Sequence, residues 1–372
     1  MQKKIIALAV AGLASTAAFA QTNVTIYGIA DIGYQYASGS EAKNPAAKLK
    51  ARTGLDSGQQ SGSRIGFRGT EDLGNGLKAV FVLENGFNLD QGTLGQGGRI
   101  FGRQAFAALA GNFGTAAFGR QYTPQFGLVT KVDPFGTGTS GDVSYGRGIY
   151  TMATGRLIDT AVGTAGAIRL NNLAAYVSPT FGGFNVIAGY TIDALGDEVL
   201  TLKGAKSANT KVWAINPNFA AGPVFVGLNY HKVKNELLNA ESRVYDLGGT
   251  YDFGAAKLHA LYGQTRDEVG ALDHKDKKWM VGVSAPIGAV NVMASYTRLK
   301  SDGDVAALDG DKVSKWSLGA TYSLSKRTNV YASYAKLSTN TNAKGEFSVA
   351  GTGGALLGNY TSGLNVGLRH SF

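Results

Sequence analysis

Residues 24–36 read VTIYGIADIGYQY. Val24, Ile26, Gly28, Ala30, Ile32, Tyr34 and Tyr36 fall on one side of an extended chain, and Thr25, Tyr27, Ile29, Asp31, Gly33 and Gln35 on the other. Successive side chains of a strand point to opposite faces, so this ribbon has one greasy face and one mostly polar face. The same alternation sets Val224, Val226, Leu228 and Tyr230 against Phe225, Gly227, Asn229 and His231. It recurs at Val290, Val292, Ala294 and Tyr296, and again at Trp316, Leu318, Ala320, Tyr322 and Leu324. Apolar residues at i, i+3, i+4 and i+7, the helical template, fit none of these stretches. The pattern predicts an all-β chain.

The connections alternate in length. Short turns are expected at 71–76, 111–114, 178–183, 216–222, 252–256, 286–289 and 323–328. Longer polar stretches lie at 38–62, 85–98, 123–167, 192–209, 233–242, 266–277, 299–313 and 337–358. Seven turns and eight loops join sixteen strands. An even strand number with short turns on one side and long loops on the other describes an antiparallel transmembrane β-barrel. At about 10 residues per spanning strand, enough chain is left over for the loops.

Composition narrows the alternatives. The 372 residues include 53 Gly but only 7 Pro and no Cys, and 17% are charged. Glycine without a Gly-X-Y period excludes a collagen-like chain, and the aromatic content excludes disorder. Without cysteine there is no disulfide scaffold, thiolate metal site or cysteine nucleophile. Residues 1–20, with Lys3, Lys4, an apolar run and Ala18-Phe19-Ala20, read as a cleaved secretory signal. The mature chain, 21–372, then forms one barrel, and the signal's loss takes two lysines from a formal net charge of +10. No later segment is long and apolar enough to cross a bilayer as a helix, which leaves a closed barrel as the spanning form.

A propeller would show a repeat of about 40 residues with Trp-Asp or Gly-His marks, and none is present. A soluble sandwich would have loops of similar length at both ends. Tyr176, Tyr190, Tyr230, Tyr262, Tyr296, Trp316, Tyr322 and Tyr334 sit near strand ends, where interfacial girdles belong. The last segment, YTSGLNVGLRHSF, places Leu364, Val366, Leu368, His370 and Phe372 on one face. It is expected to close the barrel against the first strand. Ending on Phe372, it resembles the terminal signal read by the outer-membrane assembly machinery.

Several segments point to one family: VTIYGIADIGY (24–34), SRIGFRGTEDLGNGLKAVFVLE (63–84), GRQAF (102–106) and FGTAAFGRQYTP (113–124). With them go RLNNLAAYVSPTFGGFNVIAGY (169–190), ATYSLSKRTNVYASYA (320–335) and VGLRHSF (366–372). In order and spacing they resemble the general diffusion porins of Gram-negative bacteria, of the neisserial and β-proteobacterial type. The resemblance implies a 16-stranded barrel, a homotrimer in the outer membrane, and a third outer loop folded inward to narrow the pore.

A channel selects by bore and by field. Arg64 and Arg68 alternate with Ile65 and Phe67, so both arginines face the lumen if the apolar pair faces lipid. Lys78 and Glu84 oppose Ala79, Phe81 and Leu83 on the third strand, with Lys78 near the inner turn as a vestibule charge. Arg103 opposes Phe106 and Ala108; Arg120 ends the fifth strand and Arg169 begins the sixth. An arginine on the lipid face at mid-bilayer costs about 2–4 kcal/mol, which favours the lumen. The rival placement is the headgroup boundary, against lipid phosphates. Loop 123–167 is the longest and is expected to form the constriction, with Asp133 and Asp142 facing the basic wall across the bore. Asp159 is a further loop acid, while Arg147 and Arg156 offer anchors to the wall.

These expectations define a passive channel for small hydrophilic, mainly anionic solutes, with no cofactor. Loop lysines suit lipopolysaccharide and anionic lipid, and scattered basic residues give no stripe for nucleic acid. His231, His259, His274 and His370 fall in separate segments without metal-ligand spacing, and neither HExxH nor GxSxG occurs. A substrate-specific channel would show an aromatic track along the lumen, for which Tyr27 and Phe225 are too few. An enzyme or adhesin with its function in the outer loops is the remaining alternative.

Overall fold

The computed structural model describes residues 23–144, 168–196, 198–306, 308–344, 347–349, 351–352, 355–356 and 359–372. The expected signal, 1–20, and loop residues Arg147, Arg156 and Asp159 lie outside the described residues. Sixteen strands build one closed barrel. The first eight are β1 (Asn23–Ser40), β2 (Arg64–Gly74), β3 (Leu77–Asn88), β4 (Gln104–Gly111), β5 (Gly114–Tyr122), β6 (Arg169–Val177), β7 (Phe184–Thr191) and β8 (Thr210–Ala221). The others are β9 (Val224–Asn235), β10 (Ala240–Asp252), β11 (Lys257–Val269), β12 (Leu272–Ile287), β13 (Val290–Gly303), β14 (Lys312–Ser323), β15 (Thr328–Thr339) and β16 (Tyr360–Ser371).

Each strand pairs antiparallel with its neighbours, and β16 closes on β1 from Ile29 opposite Ser371 to Ser40 opposite Tyr360. The terminal Phe372 fastens this seam, because its backbone N–H and C=O both bond to Gly28 at 3.1 Å. Its ring occupies the space that a side chain at position 28 would need. Closure removes sheet edges, which lipid does not tolerate.

The distribution of side chains inverts that of a soluble domain. Asp31, Gln35, Asn229, Thr297, Ser317 and Asn365 are buried, while Ile26, Leu228, Leu247, Leu258, Val281 and Leu318 are exposed. Such a continuous apolar exterior requires lipid or another protein surface around it. Near the outer ends an aromatic belt runs from strand to strand: Trp213 meets Tyr230 at 4.8 Å, Tyr230 meets Tyr245 at 4.8 Å, and Trp316 meets Tyr334 at 5.3 Å.

Several connections differ from the sequence reading. Loop 233–242 contracts to a turn at 236–239, and 266–277 to a two-residue turn at 270–271, because β9 to β12 continue well beyond the expected span. Polar residues at these strand tops satisfy water above the bilayer while keeping ladder bonds, so polarity there does not mark a loop. At 216–222 the strand continues through Asn216 and Pro217, and the turn lies at 222–223. The first long loop is also split. Its residues Arg52–Ser57 form a short strand on the outer half of β1, and 58–63 then hump into the barrel.

Candidate functional site

The hump GQQSGS (58–63) is fixed by Asp31 on β1. The Asp31 carboxylate accepts the backbone N–H groups of Gln60 at 3.1 Å and Ser61 at 2.7 Å, and the Tyr331 hydroxyl at 2.7 Å. The hump in turn sets the first arginine. Arg64 donates through Nε to the Gly62 carbonyl at 2.8 Å and through a terminal nitrogen to Ser61 Oγ at 2.9 Å. Arg64 lies within Coulombic reach of Arg103, Arg169, Tyr122 and Glu84.

These five side chains form one cluster on the β2–β6 wall. Arg103 pairs with Glu84 at 2.9 Å, and the other Glu84 oxygen accepts the Tyr27 hydroxyl at 3.0 Å. Arg103 and Arg169 both donate to the Tyr122 hydroxyl oxygen, at 2.5 and 3.0 Å. The Arg169 guanidinium also lies 4.5 Å from the Tyr122 ring centre, a cation–π contact. Arg68 stands lower on β2, 5.3 Å from the Tyr27 ring. Arg120 is tied to the Gly102 carbonyl and Asn171 Oδ1 beside the β5 bulge, outside the Tyr122 cluster. Lys78 is exposed next to the inner turn.

The route by which Arg103 reaches the lumen differs from the parity argument. Glu84 pairs with Gln104 and Val80 with Ala108, so Phe106 and Ala108 share the face of Glu84 rather than opposing it. Arg103 points inward because it precedes the first ladder residue of β4, where alternation does not bind it.

Opposite this wall lies the third outer loop. It begins with a helix, α1 (Pro124–Val132), which a period of two does not predict. Local signals were present: Thr123 accepts the Phe126 N–H at 3.1 Å as N-cap, and Pro124 occupies the first turn. Leu128, Val129 and Val132 turn to the barrel wall, where they bury with Phe225, Leu261 and Met280. The wall receives the loop on small residues. A side chain at Gly248 would come 2.9 Å from Val132, and one at Gly319 would come 2.6 Å from Phe135. Equivalent limits hold at Gly282 under Pro134 and Gly363 under Ser140. These glycines mark a track across the interior from β10 to β16.

This geometry corrects Asp133. Asp133, expected to face the pore, is 4% exposed and folds the loop instead. Its carboxylate accepts the N–H groups of Phe135 at 3.0 Å, Thr137 at 2.9 Å and Val143 at 3.0 Å. Burial, with the charge of Asp142 nearby, pushes its pKa up to about 7. Asp142 accepts the Ser144 N–H and hydroxyl, and lies 3.5 Å from the ammonium of Lys315 on β14. Lys315 also donates to the Asp142 and Ser140 carbonyls, binding the loop to the far wall. Sequence reasoning missed Tyr122, Lys131 and Lys315; only their neighbours across the barrel give them roles.

Thus the bore lies between an arginine cluster and a loop whose described acids are turned into structure. Residues 7–342 match the family model described as Gram-negative porin. An outer membrane porin protein of Bordetella pertussis is 36% identical, with 90% of this chain and 94% of that protein covered. Outer membrane porin protein 32 of Delftia acidovorans is 35% identical over the full length of both. Among solved structures, the anion-selective porin from Comamonas acidovorans superposes with a TM-score of 0.75 at 31% identity, covering 95% of this chain and 100% of that one. The trimer form of Vibrio cholerae OmpT, at 16% identity and a TM-score of 0.67 over 94% of this chain and 99% of that one, shares the fold. A closed sixteen-stranded barrel with a polar interior, matched along nearly its whole length, places this chain in the Gram-negative porin family, in the outer membrane.

Proposed function

We propose that this porin is a passive, anion-preferring diffusion channel that works as a homotrimer. One observation carries the selectivity: the described acids near the constriction are committed, whereas the arginines outnumber their partners. Glu84 is paired with Arg103, Asp133 is buried under three N–H groups, and Asp142 is held by Lys315. Arg64, Arg68 and Arg169 keep net positive charge on the bore, and arginine retains it at any working pH. The field therefore favours small anions without a transverse opposite wall. The anion-selective relative from Comamonas supports the same reading.

The trimer reading is supported by the exterior of β2–β5. Its outward positions carry Ile65, Phe67, Phe81, Leu83, Ala105, Ala107 and Leu109, and no Tyr or Trp. Interfacial aromatics are needed where lipid headgroups lie and not where protein covers the wall. The outer connection 89–103 beside this face exposes Leu94 and Ile100.

The test is a planar bilayer holding the purified native oligomer under a KCl gradient. Stepwise channels with an anion-favouring zero-current potential, grouped in threes, are expected. Stepwise channels favouring cations would discard the charge argument, and silence from folded protein would move attention to the outer loops.

A further inference from the structure

We propose that Lys131 is a further selectivity-determining residue: a second cationic station for passing anions, set on the inner side of the arginine cluster. The proposal rests on the anion-preferring reading and adds to it a residue from the loop rather than the wall. In α1, PQFGLVTKV, Lys131 is the one charged side chain. Its neighbours Leu128, Val129 and Val132 are buried against the wall, while Lys131 itself is exposed inside the barrel. Its ammonium lies 3.9 Å from the ring centre of Phe225.

Position along the bore follows from the strands. Phe225 is one residue past the start of β9, next to the inner turn at 222–223, and its side chain is buried on the lumen side. Arg64 begins β2 at the opposite, outer part of the span. An anion leaving the Arg64, Arg103 and Arg169 cluster therefore passes Arg68 on the wall and meets Lys131 from the loop side, at the level of Phe225 near the inner turn. The aromatic face holds the ammonium in place without neutralising it, since a ring quadrupole attracts a cation but carries no net charge. Among the described residues no carboxylate forms an ion pair with Lys131. In water, one unit charge about 7 Å from a passing anion changes its local occupancy by a factor of about three.

A structural rival exists. Lys131 lies in the last turn of α1, where a cation offsets the helix dipole. That role predicts a change in loop stability and none in ion preference. The experiment is the zero-current potential of the reconstituted oligomer under a KCl gradient, for wild type, Lys131→Met, Lys131→Glu and Lys131→Arg. Lys131→Met should lower the anion-to-cation permeability ratio about two- to threefold, with Lys131→Glu lower still and Lys131→Arg as wild type. The difference should shrink at about 1 M salt, where the Debye length is about 3 Å. Heat resistance of the oligomer, read alongside, reports the dipole role. An anion-selective wild type with an unchanged ratio in Lys131→Met would overturn the proposal. A cation-selective wild type would overturn the reading beneath it, while the difference between the two proteins would still decide Lys131. Should Lys131→Met fail to assemble, Lys131→Gln answers the same question with a polar side chain.

Discussion

The Arg103 guanidinium lies 2.9 Å from Glu84 Oε1, with the two side chains 7% and 4% exposed. This pair is a neutral centre within a cationic group, so Glu84 limits the field that the cluster exerts. Glu84→Gln keeps a hydrogen-bond partner but leaves Arg103 uncompensated. The anion-to-cation permeability ratio should rise about threefold at low salt. Removing one partner of a buried pair costs up to about 3–5 kcal/mol, an upper bound beside a water-filled lumen. Zero-current potentials and thermal unfolding in detergent read the two effects separately, and a ratio that falls would refute the assignment.

Neutralising Arg64, Arg68 and Arg103 together, each to Gln, should shift the zero-current potential towards cations. The shift should be large at about 0.1 M salt and small at about 1 M, because screening shortens to about 3 Å. An unchanged potential would remove these residues from the constriction.

Asp133 gives the loop a pH dependence whose sign is fixed by its environment. Its folded pKa of about 7 lies above the ordinary 3.8, so the buried arrangement is favoured when the carboxyl is protonated. That stabilisation is fully present below about pH 4 and is lost as pH rises through about 7. Current noise of the open channel should therefore increase from about pH 6 to about pH 8.5. Asp133→Ala, which removes the acceptor of three N–H groups, should be noisy at every pH. A wild-type trace equally quiet across the range would show that Lys315, close to both loop acids, absorbs the change.

The glycine track predicts a change in bore. Gly319→Val would press on Phe135 and Gly248→Val on Val132, and neither glycine has a positive φ. The backbone angles tolerate the substitution, and the nearest atoms the new side chain meets belong to the loop. The displaced loop should reduce single-channel conductance, with strand content by circular dichroism unchanged. Larger channels would mean instead that the loop has left the lumen.

Sequence periodicity carried the barrel, because lipid and water on opposite faces write themselves into every second residue. The same period places Arg64 and Arg68 on one face of β2, opposite Gly86 and Val82. Parity does not place Arg103, which sits just outside the ladder that begins at Gln104. Asp133 was misplaced because an acid in a Gly-rich loop looks the same whether it faces a solute or caps backbone N–H groups. The choice depends on a wall more than a hundred residues away, as the Ser140–Asn365 contact shows. Helix α1 was legible only locally, in Thr123-Pro124, and was overridden by the surrounding period of two.

The inward hump divides the first outer loop into two parts with unequal freedom to vary. Thr139 of the third loop donates its N–H to the Gln59 carbonyl, Gly138 lies against Gln60, and Asn329 donates to Gln60 Oε1 at 2.8 Å. Residues 42–49 make none of these contacts, so substitutions there should change the outer surface at little cost to permeability. Residues 58–63 have no such latitude. Variation of the exterior should therefore be confined to the 42–49 segment, and solute passage should stay the same while the outer surface changes.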